Sequence, residues 1–174
     1  MNFQEIYDFS CPRWNELPDE PLFNREAVEW INKNLHPIID QESRLTTTMV
    51  QNYVKWGFLP KEAGRKYSRE RIAQLVVLSI YKQVIHLKYV HRGVDLLLNH
   101  FPIEQAYNIF CQAVENALKN TFAPFCGENP LLKDTKMDDR KVGLYAVAAS
   151  FALKLLGEMI IESNGIKNLG ENYG

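Results

Sequence analysis

The segment that most restricts this chain runs from Ile72 to Leu87. Ile72, Leu75, Val76, Ile80 and Val84 recur at helical spacing, and Val77, Leu78 and Tyr81 fill the flank beside them. A helix apolar over so wide an arc has to be covered on several sides, so other elements must wrap around it. The spacing predicts a helix over Ile72–Leu87 at the centre of the fold. Hydrophobic residues make up 46% of the 174-residue chain, which is enough to build that cover without cross-links. Cys11, Cys111 and Cys126 are odd in number and widely spaced. They fit neither a disulfide scaffold nor a zinc cluster, which needs short paired spacings.

The cover comes from helices. Asn24 can cap a helix through Asn34 or His36, with Ala27, Trp30, Ile31 and Leu35 on one face and Pro37 beyond. Thr46, Thr47 and Thr48 supply cap hydroxyls for a short helix over about 47–56, with Met49, Val50, Tyr53 and Val54 apolar and Gly57 as its stop. Phe58-Leu59-Pro60 leaves in extended form, Lys61 to Lys66 is a tight basic loop, and Tyr67 returns. That makes Phe58–Tyr67 the one strand-like stretch, read as a small β-ribbon. Ser68 caps the central helix. Further helices are expected at His86–His100, from Pro102 to about Phe122, and from about Asp139 to Ser163. Ala123 to Asp138 is read as a loop, with Asp134, Asp138 and Asp139 as caps for the last helix. Residues 1–23 carry Phe3, Tyr7, Phe9 and Trp14, then Pro12, Pro18 and Pro21, and read as an arm with little regular structure. The tail after Asn164 is Gly/Asn-rich and is expected to fray.

Charge is distributed unevenly. From Arg44 to Arg92 ten Lys and Arg face two acids, a balance of +8, while the remainder stands at −9. A basic block inside an acidic chain is a candidate surface for a polyanion. Within it, Gln51, Asn52 and Lys55 lie opposite the apolar face of the 47–56 helix. Gln and Asn suit the donor–acceptor edge of adenine in the major groove. Thr46, Thr47 and Thr48 at a helix start suit a phosphate, and Lys61, Arg65 and Lys66 can reach adjacent backbone. Arg44 and Arg69 flank this set, and Arg69 and Arg71 are as readily solvated as contacting. Tyr53 is open to core packing or to stacking on a base. Trp56 at this spacing is read as core.

The order helix, connection, threonine-capped helix, glycine, extended pair, basic loop, tyrosine and Ser-capped helix is that of a winged helix-turn-helix. Met49-Val-Gln-Asn-Tyr-Val-Lys-Trp-Gly-Phe-Leu-Pro60 and Gly64-Arg-Lys-Tyr-Ser-Arg-Glu-Arg-Ile-Ala-Gln-Leu75 resemble the MerR-type pattern T-L-R-Y-Y-E-R-x-G-L-L-P, then Y and S-x-E-D-L-x-x-L. The correspondence is closest at Tyr53, Lys55, Gly57, Leu59, Pro60, Tyr67, Ser68 and Leu75. Gln51 stands where that family has arginine, Asn52 where it has the first tyrosine, and the connection between the first two helices is longer. Over roughly residues 16 to 120, Leu17-Pro18-Asp19 and Leu45-Thr-Thr-Thr-Met-Val-Gln-Asn-Tyr-Val-Lys55 also resemble an uncharacterised bacterial family of unknown function with a MerR-like core.

The resemblance implies a mainly α chain made of an arm (1–23), a MerR-like winged helix-turn-helix with a small β-wing (24–100) and a C-terminal helical region (101–174). It implies a sequence-specific DNA-binding transcriptional regulator, with recognition helix 47–56 and basic wing 61–66. Double-stranded DNA is the expected partner and the chain a homodimer, paired through helices 103–122 and 139–163. Two other readings stand beside it. One is a protein-interaction module. The other is a sensor whose C-terminal helices hold an unidentified small-molecule effector, lined by Tyr107, Phe110, Tyr145 and Phe151.

No Gly-rich phosphate loop, nucleophile elbow or paired hydrolytic acids stand out, so no enzyme and no cofactor are expected. His86, His91 and His100 lack the i, i+4 spacing of a helical metal pair, so no metal is expected either. The N-terminus carries an early acid and no apolar run. The longest uncharged stretch, Val142 to Leu153, is shorter than the roughly 20 residues of a span. A cytoplasmic protein without a membrane segment is the expectation.

Overall fold

The computed structural model describes residues 2–61, 64–130 and 138–173. It is mainly helical with one two-stranded antiparallel sheet. In chain order the elements are α1 (Phe3–Tyr7), β1 (Leu22–Phe23), α2 (Asn24–Leu35), α3 (Thr47–Lys55), β2 (Lys66–Tyr67), α4 (Arg69–Tyr81), α5 (Leu87–Leu98), α6 (Ile103–Phe122), α7 (Val142–Glu162) and α8 (Leu169–Tyr173), with short 3₁₀ turns between some of them.

The central helix is α4. Ile72, Leu75, Val76 and Ile80 are fully buried, and Ala73, Val77, Leu78 and Tyr81 nearly so. Each large aliphatic chain removed from water in this way contributes about 1.5–3 kcal/mol. Helix α2 and β2 pack on α4 from one part of the molecule and α5, α6 and α7 from the other. A single apolar cluster therefore runs from Phe3 through α4 to Leu169. The helix starts where Ser68 accepts from the Arg71 N–H at 3.4 Å. It ends at Tyr81, six residues before the expected Leu87. The Val84 and Ile85 N–H groups both fold back onto the Tyr81 carbonyl (3.1 and 3.0 Å), and His86 caps α5 by accepting from the Lys88 N–H at 3.2 Å. Val84 and Ile85 still pack on the core, so the apolar run continues through the turn although the helix does not.

The sheet corrects the expected ribbon. Tyr67 and Lys66 pair with Leu22 and Phe23, not with Phe58 and Leu59. The physical reason lies at the end of α3: the Phe58 and Leu59 N–H groups both donate to the Tyr53 carbonyl (2.9 and 3.2 Å), closing the helix end. Gly57 makes that reversal at φ +78°, a region only glycine enters without penalty. Phe58 and Leu59 are thus already committed.

The arm is more ordered than its prolines suggest. Asn2 and Glu5 form a reciprocal capping box (2.7 and 3.2 Å) around α1. A helix of five residues does not stand alone, but Phe3 and Ile6 are buried against α6 and the 3₁₀ turn after it. The tail is ordered as well: Asn164 and Gly165 turn back at positive φ, Leu169 is buried, and the Tyr173 hydroxyl donates to Glu162 at 2.5 Å. That bond holds the Tyr173 phenol up at about 12.

The long pair α6 and α7 completes the body. Helix α7 begins at Val142, because Asp138 is bound in the preceding turn: its carboxylate accepts from the Arg140 N–H and forks with the Arg140 guanidinium (2.9 and 2.8 Å). It does not cap α7, and Asp134 lies outside the described residues. Over its 21 residues α7 is, by length and composition, apolar enough to cross a membrane, a criterion the uncharged run alone did not meet. Its Ala148, Phe151, Ala152, Leu155 and Met159 are buried in the body, and its Lys154 and Glu158 pair at 2.5 Å.

Candidate nucleic-acid interface

Helix α3 is short, and its two faces differ. Val50 and Tyr53 are buried, Met49 and Val54 half-buried, while Thr48, Gln51 and Lys55 are exposed and Asn52 is half-buried. The Thr46 hydroxyl accepts from the Met49 N–H at 3.2 Å, so it is spent as the cap. Thr47 is half-buried, and its carbonyl accepts from the Asn24 side chain at 3.3 Å, which pins the start of α3 to the start of α2. Asn32 makes a second bridge, exchanging hydrogen bonds with both backbone groups of Leu45 (2.9 and 3.0 Å). These ties fix the angle at which α3 leaves the body.

Two residues of the set change role. Tyr53 is 3% exposed, and burial raises its phenol above the ordinary value. It is a core residue, unable to stack on a base. Arg69 is ion-paired with Asp19 and its guanidinium lies 6.0 Å from the Trp14 ring. It ties α4 to the arm, and that charge is already compensated. Neighbouring Arg71 is buried, which settles the choice between solvent and contact: it donates to the Pro60 carbonyl and lies 5.7 Å from the Tyr67 ring, clasping both ends of the 58–67 loop.

The remaining cations are outward. Lys55, Lys61, Arg65 and Lys66 are exposed, with the Lys66 ammonium 5.0 Å from the Phe23 ring. Glu62 and Ala63 lie outside the described residues. Arg44 is half-buried, and its Nε finds no hydrogen-bond partner among the described residues. Lys82, at the end of α4, sits 3.9 Å from the Met49 sulfur of α3, and burial pulls its pKa down to about 8.

Trp56 is the residue the spacing misplaced. It caps the end of α3 and is 58% exposed, because the chain closes around Tyr53 and leaves the indole outside. The signal was present in the sequence: the residue before a helix-stopping glycine sits in the last frayed turn, where apolar periodicity no longer decides orientation. A large exposed aromatic beside Lys55 offers a stacking face next to a cation.

Elsewhere the expected residues separate. Tyr107 and Phe110 line one cavity, whereas Phe151 is wholly buried in the main core and Tyr145 is not part of that lining. Among the described residues no group of three or more His, Cys, Asp or Glu is placed to hold a metal ion.

A family model described as "Domain of unknown function (DUF1836)" matches residues 12–110, more than half of the chain. No curated protein and no solved structure matches it.

Proposed function

We propose, for a chain that belongs to the DUF1836 family of unknown function, that residues 24–100 form a MerR-like winged helix-turn-helix. The protein is then a cytoplasmic, sequence-specific regulator that binds double-stranded DNA as a homodimer. The observation that carries this reading is the outward face of α3. Thr48, Gln51, Lys55 and Trp56 are exposed on a helix whose other face is buried, and exposed Lys61, Arg65 and Lys66 come after it, beyond one tight turn. A short, rigidly mounted helix with amide and cationic side chains fits a major groove, and the cations after it fit phosphates.

Two further features support it. The order β1, α2, α3, β2, α4 with antiparallel strands is compatible with a winged helix, even though the wing's partner strand comes from before α2. Helix α7 leaves Val142, Leu153 and Ile161 39%, 61% and 76% exposed, an apolar face that a second copy would cover. Contact residues in this reading are Thr47, Thr48, Gln51, Asn52, Lys55, Trp56, Lys61, Arg65 and Lys66. Thr46, Tyr53 and Arg69 hold the frame, and Arg44 stands at its edge.

The test is selection of bound duplexes from a random pool at stated salt, and then two variants. Gln51→Ala is expected to relax base preference at one position. Lys66→Ala is expected to weaken all sequences alike and lower the salt slope by about one. If the wild-type chain enriches no sequence and shows no salt-dependent retention on DNA, the reading is wrong and a protein-docking role takes its place.

A further inference from the structure

The charged face is not the only unassigned feature. Between α4, α5, α6 and the start of α7 lies a cavity of about 460 Å³. Its walls are Val77 and Tyr81 of α4, Val90 and Leu97 of α5, Phe110 of α6 and Leu144 of α7. This volume falls in the range of small-molecule sites, and a partner helix about 10 Å across does not enter it.

The chemistry of the lining selects the occupant. The Tyr81 hydroxyl is spent on the Leu144 carbonyl at 2.9 Å. The charged lining residues are Asp139 and Arg140, opposite in sign, both exposed at the start of α7, and the Arg140 guanidinium is already forked onto Asp138. An ion carried between the apolar walls would lose its water, an anion finding Arg140 already paired and a cation finding only the solvent-exposed Asp139. An uncharged skeleton would shed little water and gain dispersion contacts with the aromatic walls, and a single polar atom on it would have the Tyr107 hydroxyl available, buried and without a hydrogen-bond partner among the described residues.

Two glycines keep the space open. Gly93 of α5 and Gly143 of α7 both line the cavity, and a Cβ built on either meets nothing within 4 Å. Close packing within the chain therefore does not require them, and a glycine inside a helix is unfavourable for the helix itself. At these positions a side chain would instead narrow the opening.

We propose that this cavity is a binding site for a neutral, predominantly hydrocarbon small molecule carrying one or two rings. The inference stands apart from the DNA reading, since its test contains no nucleic acid. The full chain is titrated with the uncharged fluorophore N-phenyl-1-naphthylamine. Expected is saturable one-to-one binding, displaced by an uncharged aromatic competitor and not by tetraphenylphosphonium or a naphthoate of similar size.

Gly93→Leu and Gly143→Leu are then compared with the wild type by thermal melting and by titration. Both are expected to melt at or above the wild-type midpoint, because leucine favours helix, while binding the probe at least about tenfold more weakly. Val77→Trp, which fills the interior, is expected to abolish binding in whatever fraction folds. Undiminished binding in the two glycine variants overturns the site. Equal displacement by the ions overturns the ligand class. Loss of probe binding as protein concentration rises, with matching growth of a dimer, assigns the cavity to a second copy and overturns the proposal.

Discussion

Two polar regions of this protein resemble each other in composition and differ in how their polar groups are partnered. Where residues 11–14 cross α6, most polar groups meet partners, the Arg13 Nη1 being the exception among the described residues. Glu115, 7% exposed, accepts from the Cys11 N–H at 2.9 Å and pairs with Arg13 at 2.6 Å. Asn108 accepts from the Trp14 N–H at 3.0 Å, and the Cys111 thiol donates to the Pro12 carbonyl at 3.6 Å. On α3 and the loop after it, Gln51, Lys55, Lys61 and Arg65 are exposed, and among the described residues they form no such network. The first region is a structural seam, where removing one group strands another. The second offers its donors outward. Charge alone does not distinguish the two, since Arg69 and Arg71 belong to the basic block and are both turned inward.

That contrast is sharpest for Glu115→Ala. It leaves Arg13 and the Cys11 N–H without their acceptor, and a loss of about 3 kcal/mol is expected. This is the low end for a broken buried pair, because Arg13 is 30% exposed. Urea unfolding measures it. A loss below about 1 kcal/mol would erase the distinction between seam and surface.

Next in size is a pH effect where the end of α4 meets α3. Lys82 is depressed to about 8 from 10.5 by burial. Below pH 8 the amine is charged in both folded and unfolded chains, and the burial penalty is fully present. Between pH 8 and 10.5 the unfolded chain keeps a proton at this amine that the folded chain releases, so the Lys82 contribution to stability rises with pH, by about 1–2 kcal/mol before pH 10. From about pH 9 the raised thiols of Cys11 and Cys126 oppose that rise, and above pH 10 the raised phenols of Tyr53 and Tyr81 do so too, because the unfolded chain then loses protons first. Lys82→Met should stabilise the protein at pH 7 and flatten the climb. Melting curves from pH 7 to 10 read both.

Thr46→Ala removes the cap of α3, with an expected cost of about 1 kcal/mol. The smallest stability effects belong to the outward face. Gln51→Ala, Lys55→Ala and Trp56→Phe should each change unfolding free energy by less than about 0.5 kcal/mol. Trp56→Phe should also remove the most solvent-exposed indole emission, since Trp14 and Trp30 are half-buried. If DNA quenches the wild-type emission and not that of the variant, the exposed face is the contact face. Large stability losses there would return those residues to the frame.

Local features were legible in the residues. Thr46 and Ser68 as caps, Gly57 as the left-handed stop and Pro102 before α6 all lie within a few residues of the element they define. Neither the strand partner of Tyr67 nor the acceptor of Arg69 could be read in this way, because Leu22 and Asp19 lie 45 and 50 residues earlier and nothing nearby points to them. The arm's helix was hidden for a related reason: five residues have no helical preference of their own until Phe3 and Ile6 find α6. In the candidate site, the polar identity of Gln51 and Lys55 was visible from periodicity, whereas the choice left open at Tyr53 and the reversal at Trp56 depended on how the chain closes after Gly57.

The placement of α4 also governs how the molecule can be dissected. One flank of that helix is sealed by α2 and β2 and the other by α6 and α7, with the Tyr81 phenol anchored on the α7 backbone. A fragment cut near residue 100 would therefore carry a raw hydrophobic wound. It should aggregate or demand a detergent, and grafting the α3 face onto another scaffold would require transplanting its distant supports along with it.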